Sequence, residues 1–268
     1  MSTTSGNFKH SLIGPKGVNG KLFVNMEEFL DTSSFMDLHH EVILGLALVD
    51  KLDHSYIMGE IPPELRKDYG NMFLESEIVE NIEAYDPTGF HRERTKDLTL
   101  QQKRRYYYMA FGALSPWYGV CYLRYNNFLK KTSEKELQND WHENAAHFPK
   151  LVSYIESLKG KVFDEVGRVL LFVSYPLVPT VVHRDYIQES HRDHSVNLFL
   201  SKGRPSFIYN EVTGEKSYLD PSCRAYFFNN RDYHGVDAEN EMRYTLRIDG
   251  TFTKEVQDKI GLVDGFVY

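Results

Sequence analysis

The residues with the clearest chemistry are a tripeptide and a distant partner. His183-Arg184-Asp185 closes an apolar, β-branched stretch (residues 178–182, VPTVV), and His234 stands within Asp232-Tyr233-His234-Gly235-Val236. In an extended chain residues i and i+2 point the same way, so His183 and Asp185 can reach one ion together. Two imidazoles and one carboxylate are the ligand set of a mononuclear non-haem iron(II) site, with further positions left for other ligands. With 11 histidines in the chain a chance His-x-Asp is unsurprising, and a second one exists, His191-Arg192-Asp193. The first is preferred because it abuts a strand-like run, whereas the second follows the polar residues 188–190 and reads as loop. A protein-kinase use of His-Arg-Asp is excluded, because no Gly-rich loop and no downstream Asp-Phe-Gly accompany it. His234 follows another apolar run (residues 225–228, AYFF) and precedes a strand, which suits a ligand from across a barrel.

An arginine-bearing strand lies downstream. In residues 243–249 (RYTLRID), alternation puts Arg243, Thr245 and Arg247 on one face and Tyr244, Leu246 and Ile248 on the other. A guanidinium facing into a barrel is costly unless it meets an anion. The distal carboxylate of 2-oxoglutarate is such an anion, and arginine grips it bidentately. Arg243 is the first choice for that role and Arg247, on the same face, the second.

The elements that must position these residues change character along the chain. Residues 1–20 are rich in Gly, Ser and Lys, and residues 21–24 read as a short strand. The apolar run 39–49 (HHEVILGLALV) fits a buried helix or a strand, since periodicity alone does not decide. Residues 71–84 and 98–112 carry helix-compatible spacing with Asp86-Pro87-Thr88-Gly89 as a turn between them, and 133–144 reads as a polar helix. Leu151, Tyr154, Ile155 and Leu158 define one face of an amphipathic helix over 148–158, which stops at Lys159-Gly160. From Arg168 onward short strands are expected at 168–175, 180–183, 195–201, 206–209, 216–219, 225–228, 234–236 and 243–249, separated by Gly and Pro turns. The fold class is α+β with a mainly β core: a double-stranded β-helix, jelly-roll or cupin-like barrel, buttressed by N-terminal helices. One domain is expected over 1–268, with 1–160 as helical support, 161–252 as barrel core and 253–268 as a tail.

The segment from Trp141 onward resembles the aspartyl/asparaginyl β-hydroxylase-like branch of 2-oxoglutarate oxygenases, including bacterial free-proline hydroxylases. The resemblance is carried by residues 144–149 (NAAHFP), 167–176 (GRVLLFVSYP) and 183–186 (HRDY), then by His194, His234 and Arg243. It implies that His183, Asp185 and His234 bind iron(II), that Arg243 holds 2-oxoglutarate, and that His194 helps hold it. It also implies that Arg192 lies in the active site; with Tyr186 it is the candidate for meeting a substrate carboxylate. Asp185 departs from the His-x-Gly of the peptide-acting members and argues for hydroxylation over halogenation. The implied activity is hydroxylation of a C–H bond by O2 and 2-oxoglutarate, with succinate and CO2 as co-products. An amino acid, a short peptide or an amino-acid-like small molecule is the implied substrate. Two rivals remain: an oxygenase acting on a protein side chain, and a non-enzymatic metal-binding cupin-like module. Residues 1–140 lie outside the resemblance.

Composition narrows the classes further. The formal net charge of -7 gives no electrostatic footprint for nucleic acid. No apolar run approaches the ~20 residues that span a bilayer, so no membrane is expected. The 2 cysteines cannot form a disulfide framework, and the N-terminus lacks a basic-then-apolar leader, so a cytoplasmic setting is expected. The two His-x-Asp motifs make different predictions. Asp185→Ala should abolish iron(II) binding in an anaerobic titration, whereas retained binding would move the ligand set to His191 and Asp193.

Overall fold

The structure, a computed structural model, describes residues 14–49, 52–55, 59–60, 62, 65, 86–98, 118–124, 141–174, 176, 179–185 and 194–262. In chain order its elements are β1 (Val24–Asn25), α1 (Phe35–Leu48), β2 (Asp53–Ser55), β3 (Gly59–Glu60), α2 (Phe90–Arg94), β4 (Tyr118–Arg124) and α3 (Pro149–Glu156). Then come β5 (Phe163–Ser174), β6 (Thr180–Asp185), β7 (His194–Leu198), β8 (Ser206–Asn210), β9 (Glu215–Tyr218), β10 (Ala225–Phe227), β11 (His234–Val236), β12 (Arg243–Phe252) and α4 (Lys254–Ile260). The strands form two antiparallel sheets: a 7-stranded one in the order β1-β10-β7-β12-β5-β4-β2, and a 5-stranded one in the order β3-β6-β11-β8-β9. From β5 onward the chain crosses to the other sheet at every step except β8–β9, so strands adjacent in sequence mostly face each other across a sandwich.

The 7-stranded sheet is covered on its far face by the helices. Val169, Leu171, Val196, Leu198, Phe227, Leu246 and Ile248 present that face to Phe35, Leu38 and Val42 of α1, Leu151 and Ile155 of α3, and Val256 and Ile260 of α4, in one continuous core. Burying each such side chain is worth roughly 1.5–3 kcal/mol. The run expected as helix or strand over 39–49 belongs to α1, which buries one face and exposes Ile43, Leu44 and Leu48 on the other. Helix α1 lies so close to the next layer that a Cβ on Gly45 would stand 2.4 Å from the Phe148 ring. Its Glu41 caps α3: the Lys150 and Leu151 amides donate to the two carboxylate oxygens at 2.9 and 2.7 Å. Negative charge at a helix start is favourable, and Pro149 sacrifices no hydrogen bond there.

The strands expected from residue 168 onward all form, and the first begins earlier, at Phe163. Residues 1–160, expected as a helical support, also supply β1 to β4, which extend both sheets at their edges. The strand expected at 21–24 is confined to Val24–Asn25. The turn at 86–89 is present. The helix expected over 71–84 lies outside the described residues, as do 99–112 and 133–140. No helix among the described residues is long and apolar enough to cross a membrane.

The pairing of β6 with β11 positions the site. His234 is the register partner of His183, and Val236 that of Thr180, so β6 carries one extra residue between these pairs. Gly235, between the two pairs, lies against Thr180 and Phe207; a Cβ there would be 2.8 Å from the Thr180 carbonyl oxygen and 2.7 Å from the Phe207 ring. Gly235→Val should therefore lower stability by about 1–3 kcal/mol in urea unfolding. It should weaken metal binding as well, because β11 is pushed off β6.

Candidate metal centre

His183, Asp185 and His234 converge: one ligand atom from each lies within 4.8 Å of the others. The Asp185 Oδ1 atom is 3.5 Å from His183 Nε2 and 3.9 Å from His234 Nε2. The two imidazoles are 4.4 Å apart between ring centres. Each is held by its other nitrogen against a carbonyl two residues upstream, His183 Nδ1 to Val181 O at 2.8 Å and His234 Nδ1 to Asp232 O at 2.9 Å. A carbonyl oxygen only accepts, so Nδ1 donates in both. The lone pair of each neutral ring therefore sits on Nε2, aimed at the cluster. Such hydrogen bonds to the far ring nitrogen fix tautomer and orientation in metal-binding histidines.

Charge is arranged to match. Burial alone would raise the Asp185 pKa, but the neighbouring His183 and the charge of Arg247 outweigh it and hold the carboxyl well below the usual range. Arg247 donates from Nη1 to Asp185 Oδ2 at 3.3 Å, from Nε to Asp249 Oδ1 at 2.7 Å and from Nη2 to Ser195 Oγ at 2.8 Å. Asp249, buried, also accepts from Arg168 Nε at 2.7 Å and from Ser195 Oγ at 2.8 Å. Burial opposes its ionisation, and Arg247 and Arg168 overcome this and keep it charged. Burial, reinforced by His183, pushes His234 down to about 4 from 6.5. A neutral imidazole and an ionised carboxylate are the forms that bind a metal.

The turn before β11 joins the ligands. The Asp185 amide donates to the Asn230 carbonyl at 3.0 Å. The Asp232 carboxylate accepts the Lys16 and Gly17 amides at 2.8 and 2.7 Å, binding residues 16–17 beneath His234. The Phe228 ring lies edge-on to His234 at 4.7 Å.

The remaining expected residues fall in different places. Arg243 faces the sandwich interior at the start of β12, where its guanidinium pairs with Glu239, at 3.3 Å, and with Glu241. It thus meets carboxylates of its own chain. Arg247, the second choice, is the arginine that touches the cluster. His194 lies elsewhere than the resemblance implies. It shares a face with Val196 and Leu198, on the helix side of the sheet, whereas Ser195 faces Arg247. Its ring stacks on Phe252 at 4.4 Å and its Nδ1 accepts the Phe252 amide at 3.2 Å, so the sheet separates it from the cluster. Tyr186 and Arg192, like the alternative pair His191 and Asp193, lie outside the described residues. Sequence reasoning missed Asp249 and Ser195 as supports, although Arg247 and Asp249 at i and i+2 on one strand face were a readable signal. It also missed Arg204, whose Nη2 reaches Thr180 Oγ1 at 3.2 Å and whose Nη1 reaches Thr245 Oγ1 at 3.5 Å.

No protein-family model matches the chain, and no curated protein matches it in sequence. Solved structures similar to it include a prolyl hydroxylase from Trichoplax adhaerens in complex with a hypoxia inducible factor oxygen degradation domain peptide fragment. That match has a TM-score of 0.45 and 11% identity, over 92% of this chain and 90% of that one. Another is the viral collagen prolyl hydroxylase of Paramecium Bursaria Chlorella virus-1 with 2OG, at a TM-score of 0.34 and 9% identity, over 87% of this chain and 99% of that one. A third is an oxidoreductase of the 2OG-Fe(II) oxygenase family from Burkholderia pseudomallei, at 0.33 and 12%, over 49% of this chain and 65% of that one. Likeness at this level leaves function to be argued from the site itself.

Burial pushes His194, like His234, down to about 4. Between pH 6.5 and 4 the unfolded chain takes up protons at these two positions that the folded chain refuses. Stability from this source is therefore full above pH 6.5 and falls as the pH drops toward 4. Urea midpoints should decline across that window. His194→Gln should reduce the proton uptake by about one while leaving iron(II) affinity unchanged.

Proposed function

We propose that the chain is an iron(II)- and 2-oxoglutarate-dependent dioxygenase that hydroxylates a C–H bond of an amino acid or amino-acid-like small molecule. The observation that carries this is the convergence of His183 Nε2, His234 Nε2 and an ionised Asp185 carboxylate, each already held in its metal-binding form. Three protein donors of this kind would hold iron(II) while leaving it able to take a keto acid as well. Iron(II) with 2-oxoglutarate supplies the oxidising power, the keto acid being converted to succinate and CO2 as dioxygen is reduced and hydroxyl enters the substrate.

The chain's own residues have definable tasks. His183 and His234 offer Nε2 because Val181 and Asp232 carbonyls hold their Nδ1–H groups. Arg247 occupies Asp185 Oδ2, which directs Oδ1 toward the histidines. Phe228 packs edge-on against one side of the His234 ring. Arg192 and Tyr186 are assigned to the substrate carboxylate.

The strand order supports a double-stranded β-helix built as one domain over the chain. Strands β5, β12, β7 and β10 lie in one sheet and β6, β11, β8 and β9 in the other, the jelly-roll succession. The expected branch, that of aspartyl/asparaginyl β-hydroxylase-like enzymes and free-proline hydroxylases, is retained on the motif resemblance, and Asp185 as a ligand favours hydroxylation. Cys121 and Cys223, both buried free thiols, accord with a reducing compartment such as the cytoplasm.

Purified protein supplied with iron(II), 2-oxoglutarate and a panel of free amino acids in air should release succinate in a substrate-stimulated manner. His234→Ala should cut that release at least ~100-fold. Iron binding without succinate release, with or without substrates, would instead support a metal-binding module.

A further inference from the structure

We infer that Asp249, together with Ser195, is a positioning residue for the metal centre. It fixes the plane of the Arg247 guanidinium, so that one nitrogen occupies one oxygen of Asp185 and leaves the other oxygen to meet the metal. This deepens the functional reading above and rests on its metal centre, whatever the substrate.

A guanidinium is planar and rigid, so holding two of its nitrogens sets the direction of the third. In Arg247 the two are Nε, which donates to Asp249 Oδ1 at 2.7 Å, and Nη2, which donates to Ser195 Oγ at 2.8 Å. Ser195 closes the ring of contacts, because its hydroxyl donates to the same Asp249 oxygen at 2.8 Å. Nη1 is thereby aimed from the 7-stranded sheet to Asp185 Oδ2 on the 5-stranded one, at 3.3 Å.

Strand register assembles this triad. Arg247 and Asp249 share a face of β12 at i and i+2, and Ser195 of β7 is the register partner of Asp249. On the other side β5 carries an extra residue, since Ile248 pairs with Val169 and Gly250 with Val166. Val166 and Val169 both enter the helix-side core, and Arg168 between them turns to the interior, where its Nε and Nη2 each reach Asp249 Oδ2 at 2.7 Å. Asp249 thus divides its oxygens, Oδ2 to Arg168 and Oδ1 to Arg247 and Ser195. At 3% and 6% exposure, Asp249 and Ser195 are shielded from competing water.

A carboxylate can bind a metal through one oxygen or two. With Oδ2 engaged by Arg247, the oxygen offered is Oδ1, 3.5 Å from His183 Nε2 and 3.9 Å from His234 Nε2. Binding through one oxygen leaves free a position that a two-oxygen carboxylate would take. The Asp249 and Ser195 side chains bond to Arg168, Arg247 and each other, so their influence on Asp185 passes through Arg247.

The test uses cobalt(II) alone, whose visible d–d absorption reports both affinity and coordination. Wild-type, Ser195→Ala, Asp249→Asn, Arg247→Gln and Arg247→Gln/Asp249→Asn proteins are titrated, with urea unfolding followed alongside. Asp249→Asn should bind cobalt about 10- to 100-fold more weakly. Ser195→Ala, which removes no charge, should bind it about 5-fold more weakly. Both should show a d–d spectrum different from that of the wild type. In the Arg247→Gln background, Asp249→Asn should cause no further loss of affinity. Wild-type affinity and spectrum in both single variants, whatever their urea midpoints, would overturn the assignment. An equal loss with and without Arg247 would do the same, since the effect would then be bare charge or a loosened fold. Ser195→Ala carries the test by itself if Asp249→Asn does not fold. Wild-type protein that binds no cobalt would remove the metal centre, and this inference with it.

Discussion

The antiparallel pairing of β6 with β11 is the constraint on which the candidate site depends. Cross-strand partners bring Cβ atoms to within ~5 Å, which turns His183 and His234 into a potential chelating pair. The same pairing supplies the third ligand, because Asp185 follows His183 at the spacing that keeps it on the same side. Its irregularity has a second effect: the extra residue of β6 puts both Thr180 and His183 on the interior face. Gly235 is what allows the two strands to run this closely past Phe207.

Around that pair, charge is laid out as an alternating row. Arg168, Asp249 and Arg247 of the 7-stranded sheet lead to Asp185 of the 5-stranded one, each with a partner of opposite sign at hydrogen-bonding distance. A buried carboxylate on its own would be driven toward its neutral form. Here the row keeps Asp185 ionised within the fold itself. Buried ion pairs of this kind contribute little net stability, but removing one member would leave its partner's charge uncompensated.

Much of this was legible in the sequence because the chain from Phe163 on is rich in short apolar, β-branched and aromatic runs punctuated by Gly and Pro. The preference for His183-Arg184-Asp185 followed from its place at a strand end, where two side chains share a face. His194 was misplaced because the motif spacing that suggested it does not fix strand register, and a shift of one residue moves a side chain to the other face. The choice between Arg243 and Arg247 was open for a different reason. Both face inward as alternation requires and both meet carboxylates, Arg247 those of Asp249 and Asp185 and Arg243 those of Glu239 and Glu241, and the last two lie in a turn with no periodic pattern. Strands β1 to β3, at two or three residues each, are too short to leave a periodic signal, and the bulge in β6 leaves none at all.

Residues 16–17 give the site an unexpected dependence. Their amides hold the Asp232 carboxylate, while the Asp232 carbonyl holds the ring of His234, so a ligand is oriented by a contact spanning 216 residues of sequence. Contacts of such range form late in folding, after many shorter loops have closed. The metal-binding geometry is therefore a property of the assembled chain rather than of the β-sandwich alone. A fragment carrying all three ligands but starting after residue 17 would keep the donors and lose the brace that aims one of them.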